Sequence, residues 1–276
     1  MPTSNLIQLN SQNYYDADTD WQYMSVSLFK DFMKCEASAL DKLKSNKLAD
    51  ENATPLIVGN YVHSYFESPE SHATFIESKK DLITTRSGSL RSEYKLADKM
   101  IERLKNSEFF NWLYQGKKEA IVTGDLFGTR WKGKIDCLDV ENGRFIDLKT
   151  SADLNRVFWS KRYGGKVLWL QEYGYIMQMS IYKHLLEQQY KKKFDPIIFA
   201  VSKTDPVGIQ GYEIYKDPDL MELEDAYVQR TLPRVLKVIH GEVAPTWCHK
   251  CDWCKEHQLG QNMMSVSQAT NIAINN

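Results

Sequence analysis

Asp136, Asp147 and Lys149 are the residues whose types and spacing speak first for chemistry. Asp136 lies in Gly133-Lys134-Ile135-Asp136-Cys137-Leu138-Asp139-Val140, an apolar-rich stretch that reads as a strand. Asn142-Gly143 follows, the best hairpin-turn signal in the chain. A second strand then carries Phe145-Ile146-Asp147-Leu148-Lys149-Thr150. Side chains alternate along a strand with period two, so Asp147 and Lys149 share a face. Two carboxylates and an ammonium gathered on one hairpin would hold a hard divalent cation beside a fixed positive charge. That combination suits metal-assisted hydrolysis of a phosphodiester. The bland alternative is a surface hairpin with a solvated charge pair. Cys137, next to Asp136, is expected on the opposite face, in the core.

The arrangement resembles the PD-(D/E)XK nucleases: Asp136 matches the lone Asp, and Asp147-Leu148-Lys149 the (D/E)XK tripeptide. The middle acid is Asp where many relatives have Glu. Two further motifs fall in the order of the RecB-like branch. Gln178 and Tyr182 form a QxxxY pair at i and i+4, on one face of an expected helix after the hairpin. His63 and Glu67 stand at the same spacing upstream, in Gly59-Asn60-Tyr61-Val62-His63-Ser64-Tyr65-Phe66-Glu67, and resemble a GxxxHxxxE helix. The resemblance implies that His63, Asp136, Asp147 and the Leu148 carbonyl hold one or two Mg²⁺ or Mn²⁺ ions, the imidazole favouring Mn²⁺. It implies that Glu67 orients a neighbour or a water, and that Lys149 works as a cation on the attacking water or a phosphate oxygen.

Four of the five cysteines form a second pattern. Cys248, Cys251 and Cys254 stand as CxxCxxC, and Cys35 lies far upstream after Ser25-Val26-Ser27 and a helix. The order, one Cys before the core and three after it, resembles AddB-type nucleases and the CRISPR-adaptation nucleases. That resemblance implies a [4Fe–4S] cluster. Four thiolates suit Zn²⁺ equally, with His249 or His257 able to replace Cys35, and a reduced thiol cluster without metal is the third reading.

The elements that must position these residues can be read around them. The chain has 276 residues, 42% hydrophobic and 26% charged, as in a soluble globular protein. A net charge of −1 gives no global basic field, so contact with DNA falls to local clusters. The absence of a transmembrane-length apolar run or a signal-peptide core leads to the expectation of a cytoplasmic location, without a membrane partner. Residues 1–24 read as an irregular N-terminal arm, 25–257 as the nuclease-like domain with the cysteines joining its ends, and 258–276 as a flexible tail. Ser25 offers an N-cap to one helix running from Leu28 to Leu43, and Pro55 opens the helix of His63. Residues 81–91 read as a polar loop, Leu154 to Trp159 as a short helix, Arg162 to Lys166 as a flexible basic loop, and Leu168 to Tyr190 as one long helix. Strands are expected over 119–127, 196–201 and 208–214, and a last helix over 220–239. The order predicts an α/β fold with a central mixed β-sheet flanked by helices.

Arg86, Arg91, Lys95, Arg130, Lys132, Lys161, Arg162 and Lys166 are candidates for phosphate contacts, with Trp159, Tyr163 and Trp169 available for stacking on bases. Taken singly, each basic residue is better read as a solvated surface charge. Among PD-(D/E)XK enzymes, the phage and prophage exonucleases related to RecE carry a similar Cys-x-x-Cys-Asp-aromatic-Cys. That likeness implies a 5′→3′ exodeoxyribonuclease on double-stranded DNA, a ring-like homo-oligomer and a single-strand annealing partner. The alternatives are an iron–sulfur nuclease for single strands and a non-catalytic module that binds DNA ends.

Overall fold

The computed structural model describes residues 6–45, 53–257, 263 and 265–275. In chain order the first helices are α1 (Ala17–Asp20), α2 (Val26–Lys34), α3 (Glu36–Ser45), α4 (Thr54–Glu67), α5 (Pro69–Ser78), α6 (Lys80–Ile83), α7 (Ser92–Lys105) and α8 (Glu108–Leu113). The strands β1 (Lys117–Leu126), β2 (Thr129–Asp139), β3 (Arg144–Ser151), β4 (Val157–Ser160) and β5 (Gly165–Leu168) follow. Then come α9 (Trp169–Glu172), α10 (Tyr175–Tyr190), β6 (Asp195–Ser202), β7 (Ile209–Glu213), α11 (Pro218–Ile239), α12 (Asp252–His257) and α13 (Val266–Asn275). The backbone divides into two compact units, residues 50–126 with 132–225, and residues 1–49, 127–131 and 226–276.

The larger unit holds a five-stranded sheet of order β1-β2-β3-β6-β7. β3 is antiparallel to β2 and parallel to β6, which makes the sheet mixed and requires a crossover between β3 and β6. α10 lies in that crossover and packs on β1 and β6. On one face, Ile57 and Val62 of α4, Met100 and Leu104 of α7 and Phe110 of α8 cluster with Cys137, Ile146, Leu148 and Phe199. Cys137 is fully buried there, as the alternation along its strand requires. α10 contributes buried Ile176, Met179, Ile181 and Leu185. Helices therefore flank a central mixed sheet, the expected α/β architecture.

Three local readings are corrected. The segment expected as one helix from Leu28 to Leu43 breaks at Cys35, whose backbone is extended (φ −165°, ψ 107°). Glu36 beyond it accepts two hydrogen bonds from Arg234, at 2.7 and 2.8 Å, and one from the Thr246 N–H at 2.7 Å. The Leu154–Trp159 segment is not helical: Val157-Phe158-Trp159 form β4, paired antiparallel with β5. Branched and aromatic side chains favour this pleated ladder, which the Gly164-Gly165 turn closes. Finally, Gly174 takes a left-handed conformation (φ 67°) and separates α9 from α10.

Ser25 caps α2 through the Leu28 N–H, and Pro55 opens α4, as read. Residues 6–16 and 21–24 lie outside helices and α1 is a single turn, so the arm is largely irregular. Of the expected flexible tail, residues 258–262, 264 and 276 lie outside the described residues, as do 1–5 of the arm. Val266–Asn275 is helical. Among the described residues no helix is long and apolar enough to cross a membrane.

Candidate active site

The hairpin of β2 and β3 turns over residues 140–143, with Gly143 left-handed (φ 64°) and the Asn142 N–H donating to Asp139 Oδ1 at 3.1 Å. Its ladder runs from Asp139↔Arg144 to Cys137↔Ile146 and stops there. One step further the strands part, and a side chain takes over from the ladder: Asp136 Oδ2 accepts the Leu148 N–H at 2.7 Å. The divergence makes room for the charged groups that follow.

The Asp147 carboxylate is 2% exposed, and Gln178 Nε2 donates to its Oδ1 at 2.7 Å. Lys149 Nζ lies 2.5 Å from its Oδ2 in a buried ion pair. His63 Nδ1 of α4 comes within 3.4 Å of Asp136 Oδ2, and the imidazole also bonds the Leu148 backbone. Thus His63, Asp136, Asp147, Leu148, Lys149 and Gln178, from a helix, a hairpin and a second helix, meet at one point.

Burial dominates the electrostatics. It pushes the Asp136 and Asp147 carboxyls up despite the Lys149 charge, and the Asp136 carboxylate adds to the rise at Asp147. Burial, reinforced by Lys149, brings the His63 imidazole down to about 4, so it is neutral at physiological pH and can act as a ligand. Burial alone would lower Lys149, but Asp147 and Asp136 outweigh it and hold the ammonium above the ordinary lysine range. Lys149 is therefore held in its charged form. Two crowded carboxylates, a neutral imidazole and a carbonyl form a donor set whose chemistry fits a hard divalent cation.

Tyr182, one turn beyond Gln178, packs its ring on Gly133 of β2, where a Cβ would come within 2.6 Å of Cε1. Its ring spaces α10 from the sheet. Glu67 lies at the end of α4, close enough to Glu119 to raise the Glu119 carboxyl, though burial is the larger cause. Glu119 and Lys134, which pair at 2.5 Å, escaped the sequence reading. So did Tyr175, whose ring lies 4.8 Å from Lys149 Nζ. Lys134 and Asp136 share a strand face, and Tyr175 stands three residues before Gln178 on its helix face. Glu119 had no such signal, since it depends on a left-handed backbone (φ 50°) at the start of β1. A cleft of about 650 Å³ lies elsewhere, among Phe109, Trp112, Arg144, Phe199 and Tyr215 near the start of β3 and β6.

The candidate phosphate contacts scatter. Arg91 spends its guanidinium on the carbonyls of Thr84 and Asp81. Arg86 is exposed in the adjoining loop, Lys95 is exposed on α7, and Lys132 is 3% exposed. Arg130 belongs to the smaller unit. Lys161 and Lys166 are exposed on the β4–β5 hairpin. The expected flexible basic loop is a pinned turn, because Arg162 and Tyr163 both bond the buried carboxylate of Glu224.

In the smaller unit, Cys35, Cys248, Cys251 and Cys254 converge with all four sulfurs within 4.8 Å of one another. His249 and His257 are not needed to complete the set; their rings stack on Trp247 and Trp253. Cys248 Sγ accepts N–H groups from Lys250 at 3.5 Å and Cys251 at 3.4 Å, and Cys251 Sγ accepts the Cys254 N–H at 3.4 Å. Burial pushes the Cys248 thiol up, but these N–H groups outweigh it and bring it down to about 6. The site can bind a metal.

Among proteins of known structure, the chain is similar to one of Eubacterium rectale that carries the provisional name of exonuclease. The two are 31% identical, with a TM-score of 0.88, over 96% of this chain and 98% of that one. A second solved chain, 14% identical over 83% of this one and 96% of its own length, has a TM-score of 0.29, too low to bear on the fold. No curated protein matches. A family model described as a PDDEXK-like domain of unknown function, DUF3799, matches residues 25–257. With that match over most of its length and the parted hairpin at its centre, the chain belongs to this PDDEXK-like family.

Proposed function

We propose that the protein is a divalent-metal-dependent exodeoxyribonuclease that hydrolyses phosphodiester bonds at the ends of double-stranded DNA in the 5′→3′ direction, in the manner of phage and prophage recombination enzymes. The buried convergence of His63, Asp136, Asp147 and Lys149, with Gln178 holding Asp147, carries the reading. Membership of a PDDEXK-like family and the provisional name of the Eubacterium rectale relative support a nuclease.

Asp136, Asp147, His63 and the Leu148 carbonyl would hold Mg²⁺ or Mn²⁺, which supplies Lewis acidity to a water and to the scissile phosphate. Asp136 is aimed by the Leu148 N–H and Asp147 by Gln178. Lys149, kept protonated by the carboxylates, neutralises charge that develops on a nonbridging phosphate oxygen. Tyr182 keeps α10 at the spacing from which Gln178 reaches Asp147. DNA is the substrate, a ring-like homo-oligomer would keep the enzyme on its track, and a single-strand annealing protein would take the exposed 3′ strand.

At the cysteine site the separations of 3.6 Å for Cys35–Cys254 and 3.8 Å for Cys248–Cys254 favour one tetrahedral ion, zinc. Sulfurs about 2.3 Å from a single tetrahedral centre stand about 3.8 Å apart. A cubane carrying one thiolate on each iron needs roughly 6 Å. This weakens the second reading, an iron–sulfur nuclease for single strands.

The test is incubation of linear duplex DNA, labelled at one 5′ end, with Mg²⁺ or Mn²⁺ and either the wild type or Asp147→Ala. Mononucleotides released from the labelled end by the wild type alone support the proposal. Cutting of single strands only would transfer support to the second reading. No cutting in either metal would leave a DNA-end-binding module.

A further inference from the structure

The β4–β5 hairpin has an inverted surface. Along β4, Phe158 is half-buried and Ser160 buried, while Val157 is 56% and Trp159 70% exposed. On β5 the buried residue is Val167, and Lys166 is exposed. The register pairs Trp159 with Lys166 and Val157 with Leu168, so the outward face carries an indole beside an ammonium, flanked by two aliphatic side chains. A two-stranded sheet that buries serine and exposes tryptophan is not explained by its own packing.

The hairpin is held in place. At its tip Arg162 and Tyr163 bond Glu224, which is fully buried. On its inner face Phe158 packs on Tyr173 at 5.4 Å, Tyr173 on Tyr175 at 6.2 Å, and the Tyr175 ring lies 4.8 Å from Lys149 Nζ. An aromatic chain thus joins the hairpin to the candidate active site. From Leu154 to Gln171 the sequence has four cations and no acid, within a chain whose overall charge is −1; Arg162 is neutralised by Glu224, which leaves Arg156, Lys161 and Lys166 as the positive charge of the segment. The occupant that suits such a patch is a polyanion with exposed flat apolar rings. A paired duplex hides those rings, whereas an unpaired strand offers them.

We propose that the β4–β5 hairpin is a fixed stacking platform for an unpaired DNA strand, with the Trp159 ring against a base and Lys166 on a neighbouring phosphate. The proposal rests on the nuclease reading and adds to it a place for single-stranded DNA on the hairpin that the aromatic chain joins to the candidate active site.

The test uses the full chain carrying Asp147→Ala, so that DNA stays intact, and fluorescence anisotropy with a labelled oligothymidine, an abasic oligomer of equal length and a blunt duplex. Trp159→Ala is expected to weaken oligothymidine binding about tenfold, with Trp159→Phe restoring most of it. The abasic oligomer should bind the parent about as weakly as oligothymidine binds Trp159→Ala, and blunt duplex binding should change little. Lys166→Ala should reduce the slope of log affinity against log salt by about 0.7. Unchanged oligothymidine binding by Trp159→Ala, or equal loss for oligothymidine and blunt duplex, overturns the proposal. Wild-type cleavage in Mn²⁺ is measured in parallel. If the wild type cuts DNA and Trp159→Ala binds normally, the platform alone falls; if the wild type neither binds nor cuts, the nuclease reading falls with it.

Discussion

Replacing Gly133 by alanine should damage both stability and catalysis, although Gly133 carries no chemistry. A Cβ at this position would stand 2.6 Å from Tyr182 Cε1, 2.9 Å from Cδ1 and 3.3 Å from Cζ. Carbon atoms rest at about 3.5–4.0 Å, so the ring or the strand must give by about 1 Å. Tyr182 is 8% exposed and cannot swing into solvent. Overpacking of this kind costs about 1–3 kcal/mol. At roughly 2–4 °C per kcal/mol for a chain near this size, a cost of about 2 kcal/mol lowers the melting midpoint by about 4–8 °C. The displaced helix also carries Gln178, whose bond to Asp147 is 2.7 Å long. A shift of about 1 Å takes that pair out of hydrogen-bond range, and cleavage under single-turnover conditions should slow tenfold or more. Tyr182→Leu removes the ring, so Gly133→Ala combined with it should be more stable than the sum of the two single losses, by about 1 kcal/mol or more. Thermal melting and urea denaturation measure the first effect, and duplex digestion the second. A Gly133→Ala protein that melts and cuts like the wild type, or a strictly additive double variant, would refute the spacing role of Tyr182.

Gln178→Ala leaves the buried Asp147 Oδ1 without its donor; at about 1–3 kcal/mol this predicts a single-turnover rate slower by about 5- to 150-fold, and an unchanged rate would remove Gln178 from the site. Asp139 is pushed up by burial but held below the usual carboxylate range by Asn142 and Arg144. Its stabilisation is therefore present above the unfolded value of about 3.9 and is lost as pH falls through the lowered folded value. Asp139→Asn should cost about 1–2 kcal/mol at neutral pH and progressively less in acid, as followed by urea melts across pH; a constant difference contradicts the assignment. Purified protein should contain one tightly held zinc per chain and show no visible absorption, and Cys251→Ser should lose the metal and melt several degrees lower. A brown protein with stoichiometric iron and sulfide would restore the cubane.

The mixed α/β fold was legible because strand and helix periods differ and because Asn142-Gly143 and Pro55 punctuate the chain. The tripeptide Asp147-Leu148-Lys149 and the pair Gln178/Tyr182 were legible as spacings, since period two and one helical turn are properties of local backbone. What spacing could not say is how far apart the elements carrying them would come. The parting of β2 and β3 after Cys137↔Ile146, the left-handed Glu119 and the break at Cys35 all depend on partners distant in sequence. Glu36 reaches Arg234 and Thr246 across about two hundred residues, and no local propensity encodes that. The β4 segment is ambiguous in sequence for the same reason: four residues hold too few turns for a period to show, and pairing with β5 decides the outcome. Residue types and their order along the chain therefore determined which chemistry was available, while long-range packing decided which groups meet, which are stripped of water and which, like Trp159, are left facing solvent.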